Sequence, residues 1–280
     1  MNLKDLLDTA CKAAKAAGEI IRTHDRSQLN VVRKDEKSKA AQVVTELDIL
    51  CQNAILKHLE NGTKDYDLGL LTEELKDDGS RHKKDYFWCI DPLDGTLAYI
   101  NGQAGYSCSI ALISKKGEAV LGVVYNPVED KLYYAAKGMG AYCNERPLLA
   151  SKSSSDCLTV YTDSSFKKNE QAKPTEESIA RLCQKSKLRY QVKDLSYGAV
   201  MNAMKVLDNP PSIYLKLPKT EQGGGCIWDF AASTAIFHEL GANASDFEGN
   251  ALLLNPKDTL YMNRRGVFYS SSYQLKPPLF

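Results

Sequence analysis

One stretch of this 280-residue chain concentrates side chains able to do chemistry: Asp91-Pro92-Leu93-Asp94-Gly95-Thr96. It follows directly on the apolar run Tyr86-Phe87-Trp88-Cys89-Ile90. The pattern predicts a buried strand over 86–90 that ends in an acid-rich turn. Strand ends at a sheet edge are common ligand sites. Pro92 fixes its own φ and pushes Asp91 towards an extended conformation. Two carboxylates at i and i+3 across such a turn can converge on one point, with the Leu93 carbonyl between them. Converging carboxylates repel unless a cation sits among them. Hard oxygen donors of this kind suit Mg²⁺, which keeps waters and phosphate oxygens in its shell. Gly95 lets an anion approach the backbone, and free N–H groups at a helix start favour phosphate. The implied chemistry is phosphoryl chemistry at a metal. A plain Asp-Gly turn is the simpler reading of that pair alone; the full string at a strand end outweighs it.

Three more acids could complete the cluster. Glu73, in Thr72-Glu73-Glu74, follows the apolar patch of Leu68, Leu70 and Leu71, which would deliver it at a second strand end. A turn or helix-start acid is the alternative. Asp48 falls in the first turn of a helix opened by Thr45, where an acid complements the macrodipole whatever else it does. Asp229 follows Gly223-Gly224-Gly225 and opens an apolar helix over 230–240. It is either a cap or a carboxylate aimed across a cleft that the glycines let the backbone approach. The four histidines show no ligand spacing, and Gly105-Tyr106-Ser107-Cys108-Ser109 is not a nucleophile elbow.

The elements that must position these groups follow from periodicity. Helices are expected over 3–22, 46–60 (ended by Asn61-Gly62), 175–184, 198–207 and 230–240. Strands are expected at 107–113, 119–125, 131–135, 158–162, 188–192 and 212–217. The charged segment 27–39 reads equally as an active-site flap or a solvated linker. A polar stretch near 151–156 marks a boundary between an N-terminal subdomain, 1–150, and a C-terminal one, 151–280. Lys+Arg (36) and Asp+Glu (35) nearly cancel, so no overall basic field argues for a nucleic acid polymer. No apolar run reaches the length of a membrane helix, and the first 21 residues are amphipathic rather than signal-like. The eight scattered cysteines lack any C-x-x-C pair. They read as small hydrophobes in a reducing, cytoplasmic compartment.

Taken together these residues resemble the inositol monophosphatase family of lithium-sensitive, magnesium-dependent phosphatases. The matching pieces come in that family's order: Val44-Thr45-Glu46-Leu47-Asp48, Thr72-Glu73-Glu74, Trp88 to Thr96, and Ile227-Trp228-Asp229-Phe230-Ala231-Ala232. Gly122 to Pro127 and Gly138 to Tyr142 support them. The resemblance implies an α+β fold, a layered α/β/α/β/α sandwich with the site between two subdomains. It implies that Glu73, Asp91 and the Leu93 carbonyl hold one Mg²⁺, that Asp91, Asp94 and Asp229 hold a second, and that a third ion is conceivable. Gly95 and Thr96 are implied as phosphate contacts, and Asp48, Thr96 and Glu73 as the catalytic groups acting on the attacking water. Asp94, Asp229 and Lys216 complete the implied substrate wall.

The resemblance leaves the phosphate ester open. Tyr214-Leu215-Lys216-Leu217-Pro218 before Trp228-Asp229 is similar to the 3′(2′),5′-bisphosphate nucleotidase branch, where a basic residue such as Lys216 can meet a second phosphate. The stretch Asn126 to Lys131 reads more like the inositol monophosphate enzymes. Leu97 stands where bacterial nucleotidases carry Lys, and Asn209 to Cys226 is a long approach to Asp229. The expected activity is hydrolysis of adenosine 3′,5′-bisphosphate to AMP and phosphate, with inositol monophosphatase as the alternative. A catalytically inactive phospho-ligand-binding protein of the same fold is the alternative of another class. The expected partner is a small phosphorylated substrate, the expected state a monomer or homodimer.

Overall fold

The computed structural model describes residues 1–26, 31–33, 43–149 and 155–277, with backbone alone for 31–33 and 43–45. Helix α1 (Leu3–Thr23) starts at Asn2, whose side chain accepts from the N–H groups of Lys4 and Asp5. Strands β1 (Val31–Arg33) and β2 (Val43–Thr45) form a small antiparallel pair, followed at once by α2 (Glu46–Asp65). The rest of the segment 27–39 and the Thr45 side chain lie outside the described residues, as does most of the polar stretch near 151–156.

A seven-stranded sheet comes next. It holds β3 (Gly69–Thr72), β4 (Tyr86–Asp94), β5 (Ser107–Ser114), β6 (Ala119–Asn126), β7 (Lys131–Ala136), β8 (Ala141–Cys143) and β9 (Arg146–Pro147), in that spatial order. A short helix, α3 (Thr96–Ile100), leaves the end of β4. The later half alternates: β10 (Cys157–Thr162), α4 (Ala172–Lys185), β11 (Arg189–Asp194), α5 (Ala199–Asp208), β12 (Ser212–Lys216), α6 (Trp228–Leu240), β13 (Asn243–Ser245) and β14 (Val267–Ser270). These five strands order as β11-β10-β12-β14-β13.

Strand periodicity builds the layers. Trp88 and Ile90 pack with α1 and α2, while Phe87 and Cys89 face the other way, onto α5 and α6. In the second sheet Tyr161, Tyr214 and Tyr269 join α5 and α6, whereas Leu158, Val160, Ile213, Leu215 and Phe268 pack with Ile179 and Cys183 of α4. The result is a five-layer α/β/α/β/α sandwich, the layered α+β arrangement expected above. Helix α6 lies between both sheets, so every residue from Phe230 to Phe237 is buried and no polar face survives. Left-handed Gly241 stops it.

Two expectations need correction. Helix α2 does not end at Asn61-Gly62 but runs on to Asp65. A β-carbon at Gly62 would meet Leu6 of α1 at 2.7 Å, so this glycine permits close helix packing rather than a stop. Thr63, one residue on, then accepts from the buried Trp88 indole N–H (3.1 Å). Strand β4 likewise does not end at Ile90; it carries on through Asp94.

Phe237 is fully buried in the central layer and meets Tyr269 edge-on, ring centroids 4.8 Å apart. Phe237→Ala should destabilise the fold by about 3–5 kcal/mol in urea unfolding, since neither sheet can collapse onto the cavity.

Candidate active site

The acidic string is a bulged strand end. Asp91 pairs with Ser109 of β5, and Asp94 pairs with Ser107, so three steps on β4 match two on its neighbour. In a regular strand, positions i and i+3 point to opposite faces. The extra residue reverses that and turns both carboxylates to one side. Leu93 meanwhile packs into the α1–α2 side of the sheet. Its N–H donates to Asp91 Oδ1 (3.0 Å), fixing that carboxylate.

Asp94 is held from the far half of the chain. Its Oδ1 and Oδ2 accept from the N–H groups of Ala199 and Val200, each at 3.0 Å. These are unpaired donors of the first turn of α5, so Asp94 caps a helix 105 residues away. Gly198 makes this possible: a β-carbon there would fall 2.1 Å from Asp94 Oδ2. Asp229 sits in the first turn of α6, and its Oδ2 accepts from the Cys226 N–H (2.7 Å). It thus ties the preceding loop to the first turn of α6 and is a member of the cluster, and the expected close approach occurs at Gly225, whose β-carbon would lie 2.7 Å from Asp229 Oδ2.

Carboxylate oxygens of Asp91, Asp94 and Asp229 lie within 4.8 Å of one another. Glu73 follows β3, and its N–H donates to Ile90 O (3.2 Å) beside Asp91. Burial, then the charges of Glu73, Asp94 and Asp229, push Asp91 well above the usual carboxyl range. Burial and Asp229 push Asp94 up to about 8, against the opposing pull of the Val200 and Ala199 N–H groups. Burial raises Asp229 as well, opposed by the Cys226 N–H and by Lys216. Negative charge confined here calls for a cation, and an all-oxygen donor set fits Mg²⁺.

On the α2 side, Asp48 is buried and its Oδ1 accepts from the Thr96 hydroxyl (3.1 Å). The same hydroxyl lies 3.0 Å from Leu93 O. Gly95, with φ 85°, is the left-handed residue from which α3 starts at Thr96. Lys216, at the end of β12, pairs with Asp163 Oδ2 at 2.7 Å. Sequence reasoning missed Asp163, Gly198 and the start of α5. The available signal was a predicted helix opening on glycine, with no side chain of its own to cap it.

The sequence profile described as the inositol monophosphatase family matches residues 2–277. The chain belongs to the inositol monophosphatase family. As a member it is a magnesium-dependent phosphatase. It is similar to the Nus factor SuhB of Xylella fastidiosa, 29% identical over 88% of this chain and 83% of that one. It is also similar to the 3′(2′),5′-bisphosphate nucleotidase CysQ of Salmonella typhimurium, 28% identical over 91% of this chain and 96% of that one. Among solved structures it shares the fold of an IMPase/NADP phosphatase complexed with Mg²⁺ and phosphate. That likeness has a TM-score of 0.71 at 19% identity and covers 96% of this chain and 91% of the other.

Two outcomes follow for this family member. Gly198→Ala should displace Asp94 and cut phosphate release at least ~100-fold, while far-UV circular dichroism stays unchanged. The second concerns pH. The raised carboxyls are harder to ionise folded than unfolded. The stability they contribute is therefore full below their ordinary value of 3.8 and lost as pH rises through about 8. The thermal midpoint of metal-free protein should fall across that window, and Mg²⁺ should raise it more at the alkaline end, where the carboxylates are free to bind.

Proposed function

We propose that the chain hydrolyses a 3′(2′),5′-bisphosphate nucleotide, releasing one phosphate, and that adenosine 3′,5′-bisphosphate is its substrate. The observation that carries this reading is the position of Lys216. Its ammonium sits at the end of β12, paired with Asp163 (2.7 Å), and the charges of Asp229 and Asp94 also reach it, so a cation stands near the acidic cluster. An ester bearing a second phosphate beside the scissile one would find its counter-charge there. The CysQ relative, matched over nearly its whole length, supports the same choice. A second reading, inositol monophosphatase, is favoured by the name of the family itself and by Asn126 to Lys131.

In this reading Glu73, Asp91, Asp94, Asp229 and the Leu93 carbonyl would hold two or three Mg²⁺. Bound there, Mg²⁺ supplies an acidified water and polarises the phosphoryl oxygens. The protein's own groups handle the proton. The Thr96 hydroxyl has one hydrogen, and donating it to Asp48 leaves a lone pair to accept from the attacking water. Asp48 and Thr96 thus orient that water, and Glu73 completes the catalytic set in this reading. Gly95 and Thr96 open α3, whose first N–H groups lack intrahelical partners and serve as phosphate contacts. Attack at phosphorus forms one P–O bond and breaks the ester P–O bond; the leaving oxygen takes a proton. The uncatalysed reaction is so slow that a single base, at roughly 10²–10⁴-fold, supplies only a small part of the acceleration. Residues 1–150 contribute most metal ligands, and 151–280 contribute Asp229 and the substrate wall. All eight cysteines are free thiols, which supports the cytoplasmic placement. No helix among the described residues is long and apolar enough to cross a membrane.

Parallel phosphate-release assays with Mg²⁺ on adenosine 3′,5′-bisphosphate and inositol 1-phosphate test the proposal. The bisphosphate should be preferred, and Asp91→Asn should lower its turnover by at least about three orders of magnitude with the fold intact. Preference for inositol phosphate would replace the substrate assignment. Release from neither would favour a binding protein, and wild-type turnover in Asp91→Asn would sink the metal assignment.

A further inference from the structure

Lys216 is not alone on its wall. Strands β10 and β12 run parallel and adjacent, with Tyr161 opposite Tyr214. Two residues on, where side chains return to the same face, come Asp163 and Lys216. Register thus sets this acid and this base side by side, on the face that Tyr161 and Tyr214 turn towards α5 and α6. Lys216 Nζ lies 2.7 Å from Asp163 Oδ2, and each side chain is only 16% exposed. The other oxygen, Asp163 Oδ1, accepts from the Ser165 N–H (2.9 Å) and the Ser165 hydroxyl (2.5 Å). Asp163 is therefore fixed on both sides. Lys216 uses one of its three N–H donors on it.

The Lys216 ammonium has a second pull. Asp94 and Asp229 both act on it. A lysine on a flexible four-carbon stem settles on whichever carboxylate holds it best. The hydroxyl of Tyr214, two residues before Lys216 on the same strand, is fully buried and has no hydrogen-bond partner among the described residues. The charges of Asp163, Asp94 and Asp229 all reach it. This face of β12 thus keeps an unspent donor beside the ion pair's strand position. An ion pair this buried contributes little to stability, because desolvation offsets most of the attraction.

We infer that Asp163 is a positioning residue that holds the Lys216 ammonium off Asp94 and Asp229, leaving those carboxylates to Mg²⁺ and the remaining Lys216 donors to the substrate. The inference rests on Asp94 and Asp229 being Mg²⁺ ligands. Without Asp163, the ammonium swings onto the cluster and competes with the cation.

Calorimetric titration of Mg²⁺ into the full chain, with no substrate present, tests this. Asp163→Asn should weaken Mg²⁺ binding about tenfold, the value of one charge-assisted hydrogen bond redirected to the cluster. Adding Lys216→Gln to it should restore wild-type affinity or better, a rescue that a merely structural role of Asp163 would not give. An unmoved Asp163→Asn affinity overturns the inference, and so does a loss that Lys216→Gln fails to reverse. If Asp163→Asn alone does not fold, Lys216→Gln and the double variant carry the test. Equal affinities support the inference, and a weaker double variant overturns it. A wild-type chain that binds no Mg²⁺ instead sinks the metal reading beneath it, and the choice of ester touches neither result.

Discussion

Three carboxylates brought within a few ångströms of each other and largely removed from water set the terms for the rest of this structure. Each charge there is costly in isolation, and their mutual repulsion adds to the cost. The protein offsets this from several directions. Asp91 takes a backbone N–H from its own bulge, Asp94 takes two from the start of α5, and Asp229 takes one from the loop before α6. Lys216 adds a nearby positive charge. What these donors leave uncompensated is the opening for a divalent cation. The architecture can be understood as the means of bringing one strand end and two helix starts to a single point.

The middle layer of the sandwich does most of that work. Helix α6 is apolar on all sides because it separates two sheets, and its burial fixes where its first turn, with Asp229, must lie. Its far end is fixed as well: the Glu239 carboxylate accepts the N–H groups of Gly138 and Gly140 in the turn between β7 and β8. Helix α5 is tied by Asp94 at its start and by Ser212, which donates to Val206 O, near its end. Neither helix can rotate or slide without exposing apolar surface or orphaning a hydrogen bond.

Much of this was legible in the chain itself. Strand and helix positions follow from periods of two and 3.6, and the acid-rich string after an apolar run supplies two of the three clustered carboxylates. Asp48, Glu73 and Asp229 were each ambiguous alone and gained meaning only as a set. The failures share a cause. Asn61-Gly62 carries a local stop signal, but Gly62 answers to Leu6 on another helix. The bulge in β4 depends on register with β5, which no single strand encodes. Asp94 as the cap of α5 and Asp163 as the partner of Lys216 are contacts between distant segments. They leave no mark on local composition beyond an uncapped glycine and an Asp-Ser-Ser turn. The surroundings of Lys216 were the least legible feature for the same reason, since they are assembled from strand ends far apart in sequence.

The cap that Asp94 places on α5 has a consequence for the growing polypeptide. Synthesis delivers the first sheet well before residue 199 exists, and domains tend to fold as they emerge. For that interval Asp91 and Asp94 have neither the α5 amides nor Asp229 beside them. A nascent chain that closes its first sheet early must keep this strand end wet or protonated until the later half arrives. The acidic cluster and the cap of α5 are then completed in one event, so an assembled cluster also reports that translation has passed α6.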